Sequence, residues 1–190
     1  MKSIYFCTAL LVCLLASPAF AQVESQAIYM KITDSDGNIS GDVTTRNYVG
    51  FINLASAQFS MTRPSTESRA TLGPITITKA VDVSSTRLMQ TLAPSSATKS
   101  RLDNIEIDYV KSVTQRPIST FYKIELTNVS VTHHSVSLVP DCPNGCSDTA
   151  ESFELTYQRI KITTYSFDTG GRITADPNPF TYDLQTGAPF

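Results

Sequence analysis

Three groups of residues in this sequence have types and spacings that could do chemistry. The first is the pair in Cys142-Pro-Asn-Gly-Cys146, where Pro143, Asn144 and Gly145 are turn formers able to bring two thiols together. In an oxidising compartment such a pair reads as a disulfide. Closing so short a loop removes only roughly 2 kcal/mol of unfolded-state entropy, so the bridge would pin a loop rather than hold a fold. Two other readings compete with it. A thioredoxin-like redox motif has two residues between its cysteines, whereas this pair has three. A zinc site could recruit His133 and His134, but neighbours on a strand point to opposite faces, so one imidazole would be badly aimed.

The two histidines are the second group. They are the one source of a general base near neutral pH, and no serine or cysteine spacing supplies a nucleophile for them. Carboxylates are the third. Asp34, Asp36 and Asn38 alternate as calcium-loop ligands do, yet no glutamate follows at the twelfth loop position, so Asp34 to Asn38 reads as a turn around Gly37. Glu106 and Asp108 share one face of a strand and read as solvated. Asn38-Ile-Ser and Asn128-Val-Ser match a glycosylation pattern whose use depends on the host. There is no Gly-rich phosphate loop, no GxSxG and no HExxH. The residues predict no catalytic site, no metal site and no cofactor.

The elements that would position these groups are mostly strands. Ile28, Met30 and Ile32 alternate with Tyr29 and Lys31. Val49 to Phe59 reads as a second strand and Met61 to Gly73 as a polar loop. Pro74 to Lys79 alternates with Ile75 and Ile77 on one face. Asn104 to Tyr109 is expected to turn Ile105, Ile107 and Tyr109 inward and Glu106 and Asp108 outward. Thr120 to Asn128 places Tyr122, Ile124 and Leu126 opposite Lys123 and Glu125, and Val129 to Leu138 continues in strand-forming residues. Phe153, Leu155 and Tyr157 alternate, but Ile160 and Ile162 have the opposite parity. A bulge, or a strand crossing between sheets, would reconcile them. Phe180 to Leu184 closes the chain as a last strand.

One segment breaks the pattern. Residues 84–93 carry cap-type hydroxyls first, then Leu88, Met89 and Leu92 at helical spacing, with Pro94 to end it. That predicts a single short helix whose apolar stripe packs on the core. The expected fold is therefore mainly β, a small two-sheet antiparallel barrel or sandwich with one helix.

Composition narrows the roles open to such a fold. The chain has 190 residues with 15 Lys+Arg against 17 Asp+Glu. So small an imbalance gives no electrostatic case for nucleic acid or an anionic membrane. Residues 1–21 read as a signal peptide: Lys2, an apolar run, then Ala19-x-Ala21 for cleavage between Ala21 and Gln22. The run is too short to span about 30 Å of hydrocarbon, and Pro18 would break a continuing helix. Cys7 and Cys13 leave with that segment, and residues 22–190 remain as one domain without membrane insertion. The expected location is periplasmic or extracellular.

The order of segments carries a resemblance. The strand-to-helix block from Ile75 to Ala93 contains Lys79-Ala-Val-Asp82, and a second block reads Glu151-Ser-Phe-Glu-Leu-Thr-Tyr157. With the opening strand Ala27 to Ile32, the segment Phe121 to Val131 and the closing Thr181 to Thr186, this succession resembles the Hcp family, the haemolysin-coregulated ring protein of the type VI secretion tube. The resemblance covers about residues 27–186. It implies a two-sheet barrel with one flanking helix, hexameric rings of identical subunits stacked into a tube, and small effector proteins or secretion-system components as partners. It implies no enzymatic activity and carries over no active-site residues. The region Asp34 to Gly73 would correspond to an extended loop used in ring stacking. Usual family members lack a signal peptide and leave this loop free of cysteines, so the chain reads as an exported variant; an exported monomeric binding module that kept the barrel is the alternative.

Overall fold

A computed structural model describes residues 25–65, 69–95, 99–112, 118–138, 149–168 and 172–190. Twelve strands and one helix appear among them: β1 (Gln26–Thr33), β2 (Ile52–Leu54), β3 (Ser56–Gln58), β4 (Met61–Thr62), β5 (Thr71–Leu72), β6 (Ile75–Ala80), α1 (Ser85–Leu92), β7 (Leu102–Lys111), β8 (Ser119–Leu138), β9 (Thr149–Thr156), β10 (Arg159–Phe167), β11 (Ile173–Ala175) and β12 (Phe180–Asp183). Every pairing is antiparallel. The expected fold class is the observed one.

Two sheets face each other across one core. The first runs β2-β1-β7-β8-β10-β12 and the second β8-β9-β6-β3. Period-two alternation turns Met30, Ile32, Ile105, Ile107, Ile124, Leu126 and Ile160 of the first against Ile75, Ile77, Val131, Phe153 and Leu155 of the second. Burying side chains of this size stabilises by roughly 1.5–3 kcal/mol each, which makes the shared core the main source of stability.

The sheets join where strands pass from one to the other. The 20-residue β8 pairs with β7 and β10 through its first half and with β9 through its second. Asn128, at the junction, has a φ of 59°, a left-handed conformation that asparagine tolerates better than most residues. Its amide donates to Gln158 Oε1 at 2.8 Å, tying it to the second crossing. That crossing is Tyr157-Gln158, between β9 and β10, where the sequence parity changes. The third is Ala55, whose N–H donates to Thr78 O at 2.7 Å and links β2 to β3. Because β2 and β3 lie at opposite ends of the strand order, this link closes the barrel.

Several local expectations need correction. Val49 to Phe59 is not one strand: Tyr48 to Gly50 form a turn, with Asn47 and Gly50 at positive φ, and the remainder divides at Ala55. The loop from Met61 to Gly73 contains the short pair β4–β5. In α1, Leu88 is buried along with Ser85 and Thr91, whereas Met89 and Leu92 are exposed, so the stripe is only partly core. Ser84 makes no side-chain capping bond; its hydroxyl turns back to Asp82 instead. Among the described residues no helix is long and apolar enough to cross a membrane.

Candidate functional site

The two sequence blocks singled out above meet in the interior. Strand alternation that buries Ile75 and Ile77 also turns Lys79 inward, and alternation that buries Phe153 and Leu155 turns Glu151 inward. Lys79 is 0% exposed and Glu151 2%. Their charged ends meet at 2.6 Å. Lys79 also donates to Ser85 Oγ at 3.0 Å and to Ala80 O at 2.8 Å, and lies 2.8 Å from Asp82 Oδ1. The Ser85 hydroxyl donates to Glu151 Oε1 at 2.5 Å and accepts from the Asp82 N–H at 3.0 Å. Burial works against ionisation of Asp82, but hydrogen bonds from Lys79 and Ser84 outweigh it and hold the carboxyl below its ordinary range.

This arrangement suits structure better than catalysis. Ser85 and Lys79 have the types of a serine–lysine pair, but the ammonium is shared by two carboxylates and both side chains are sealed from solvent. No substrate reaches the hydroxyl. What the cluster does is fasten the start of α1 to the β6–β9 ladder, with each charge paired and hydrogen-bonded as burial demands.

The histidines do not converge. A register shift in the β8–β9 ladder falls between Val131 and His133. His134 then faces the interior, with Nε2 3.2 Å from Glu151 Oε2 and its ring stacked on Phe153 at 4.5 Å between centroids. His133 is exposed. No group of three or more metal-ligating side chains exists among the described residues. Cys142 and Cys146, and the cleavage positions Ala21 and Gln22, lie outside the described residues.

The carboxylates separate into two different environments. At the first turn, Lys99 Nζ lies 2.5 Å from Asp34, 3.0 Å from Asp103 and 3.7 Å from Asp36, so a lysine ammonium gathers these carboxylates. A hydrogen bond with Asp34 raises the Lys99 pKa, and the Ser35 N–H lowers that of Asp103. On the outer face of the first sheet, Asp108 is not solvated as expected: it is 3% exposed. Opposite it in the ladder stands Tyr29, whose ring lies 4.9 Å from that of Tyr48, and the Asp108 charge acts on the Tyr48 hydroxyl, so residues 41–51 form a flap beside it. Burial, against the pull of Lys123 and with the charge of Glu106, pushes its carboxyl up to about 7. Glu106 is buried enough to resist ionisation, but its 2.8 Å contact with Lys123 keeps it below its usual range.

Sequence reasoning passed over Lys79 and Glu151 as site residues. The signal was present: extending either strand's parity by one step places a charged residue in the core.

The described residues thus form a closed β barrel with a sealed, paired polar cluster between α1 and the β6–β9 ladder. The model of the family described as "Type VI secretion system effector, Hcp" matches residues 29–164, most of the chain, and the chain belongs to that family. The Hcp family is a non-enzymatic structural tube protein that forms hexameric rings. Among solved structures, a type six secretion system protein superposes with a TM-score of 0.71 at 15% identity, covering 86% of this chain and 99% of that one. Hcp1 from Salmonella typhimurium gives 0.66 at 18% identity, covering 87% and 99%. The secreted protein Hcp3 from Pseudomonas aeruginosa gives 0.59 at 18%, covering 80% and 97%. No curated protein sequence matches the chain.

Proposed function

We propose that this chain is an exported Hcp-type ring protein: its leader is cleaved between Ala21 and Gln22, and residues 22–190 assemble as homohexameric rings that stack into a tube holding small effector proteins. The observation that carries the reading is the family match across residues 29–164, which includes both blocks that meet at Lys79 and Glu151. Near-neutral charge and the absence of a reactive centre among the described residues fit a protein that packs against copies of itself. The leader gives the exported location, periplasmic or extracellular, and there Cys142 and Cys146 form a disulfide. Sedimentation of the purified mature chain tests the assembly: rings give six chain masses.

The leader and the cysteine pair favour one second reading, a monomeric exported module that kept the barrel without the tube. The same experiment separates them, since that module stays at one chain mass.

A further inference from the structure

The flap over residues 41–51 is attached in an unusual way. Its backbone bonds run within itself: Gly41 N–H to Gly50 O (2.9 Å), Gly50 N–H to Val43 O (2.8 Å), Val43 N–H to Phe51 O (3.1 Å) and Tyr48 N–H to Thr45 O (2.9 Å). Side chains fasten it to the sheet. The Tyr48 ring lies 4.9 Å from that of Tyr29, Val43 and Phe51 pack around the same cluster with Val110, and the Tyr48 hydroxyl is 2.8 Å from Thr120 Oγ1. Such a self-bonded loop can lift as a unit without breaking a sheet ladder.

Beneath it lies an electrostatic conflict. Asp108 stands opposite Tyr29 on β1 and Lys123 on β8, with Glu106 two residues away on the same face. Its Oδ1 is buried with no hydrogen-bond partner among the described residues. The nearest cation, Lys123 Nζ, is 3.6 Å away and already bonded to Glu106 at 2.8 Å. Lys31 pairs with Glu106 across β1–β7, its ammonium 5.8 Å from the Phe51 ring centroid, and Glu125 engages Lys161 at 2.8 Å. On β10, Thr163 pairs with Lys123. A buried carboxylate with one oxygen lacking a donor and a second carboxylate beside it is costly, whereas a neutral carboxyl is tolerated.

We propose that the 41–51 flap is a proton-controlled lid on the outer face of the barrel, closed over Asp108 while that residue is protonated and released when it ionises. The closed flap favours the protonated form and the open flap, which wets the carboxylate, favours the charged one; raising the pH therefore drives opening. Opening uncovers Tyr29 and Val110 together with the flap's own Val43, Tyr48 and Phe51, an aromatic surface available only above the transition.

Ring-13C-tyrosine NMR of the purified protein tests this by following the Tyr29–Tyr48 contact from pH 5 to 8.5. The contact is expected at the acid end and lost through a midpoint near 7. Asp108→Asn, which keeps the shape and removes the charge, should hold the contact at every pH. Glu106→Gln, which removes a neighbouring negative charge and frees Lys123 to meet the ionised Asp108, should make the closed flap tolerate that charge and move the midpoint up by at least half a pH unit. A contact unchanged over the whole range overturns the proposal, as does an Asp108→Asn profile that follows the unsubstituted protein. Should Asp108→Asn fail to fold, a midpoint unmoved by Glu106→Gln overturns it equally.

Discussion

Lys79 is the residue whose removal should matter most. With its ammonium gone, Glu151 and Asp82 keep their buried positions without a counter-charge. Losing one partner of a buried pair typically costs about 3–5 kcal/mol. Lys79→Met should lower stability by that much in urea titration, and the double variant Lys79→Met, Glu151→Leu should recover a good part of it, because the second change removes the stranded charge. A loss below about 1 kcal/mol in the single variant would mean the cluster is not what holds α1 to the sheet. Acid should also weaken the protein. Asp82 and Asp103 both have depressed carboxyl pKa values, so their stabilisation is present above the ordinary carboxylate range and disappears as pH falls through the folded values. Asp108 has the opposite sign, its contribution being lost as pH rises toward about 7. Urea midpoints should therefore peak in the mildly acidic range, decline toward about pH 7 and level off above it, and Asp108→Asn should remove that decline.

Among the elements, the strand crossings and the flap base are the places where single atoms decide geometry. Asn128 bends β8 from one sheet to the other in a left-handed conformation that costs an ordinary L-residue about 1–2 kcal/mol, more for a branched side chain. Asn128→Val should accordingly be less stable than Asn128→Gly by about that amount in the same titration, since both lose the bond to Gln158. At the flap base the reason for glycine differs. A Cβ on Gly41 would lie 2.5 Å from Phe51 O and 2.6 Å from Ile52 Cα, contacts that backbone cannot relieve cheaply. Gly41→Ala should cost about 1–3 kcal/mol, in line with other overpacking changes, and should loosen the flap without touching the Lys79 cluster.

How far the sequence revealed these elements depends on the range of the interaction. Alternation is local, so β1, β6, β7 and β9 could be read directly, and the parity change before Ile160 marked a real crossing at Tyr157-Gln158. The same alternation carried Lys79 and Glu151 inward, though only the pairing of β6 with β9 shows that they neutralise each other. Asp108 was misread because a flap carrying Tyr48 lies beside it from some sixty residues earlier in the chain, and no periodicity on β7 records a flap from elsewhere. The break at Ala55 was equally invisible, being imposed by a bond to Thr78.

At the scale of the whole molecule, the barrel is closed through Ala55, fastened internally at Lys79 and Glu151, and built without an accessible reactive centre among its described residues. The family to which it belongs is one of ring-forming structural proteins. If the chain is exported as proposed, Cys142 and Cys146 should resist alkylation in the native protein and become reactive only after reduction, a result read by mass spectrometry. Two free thiols in protein recovered from the oxidising compartment would count against that environment having shaped the loop. The most direct measurement is the mass of the mature protein across a wide concentration range, by sedimentation velocity with light scattering. The ring account predicts a species of six chain masses, with larger stacked species as concentration rises. A single chain mass at every concentration would contradict it.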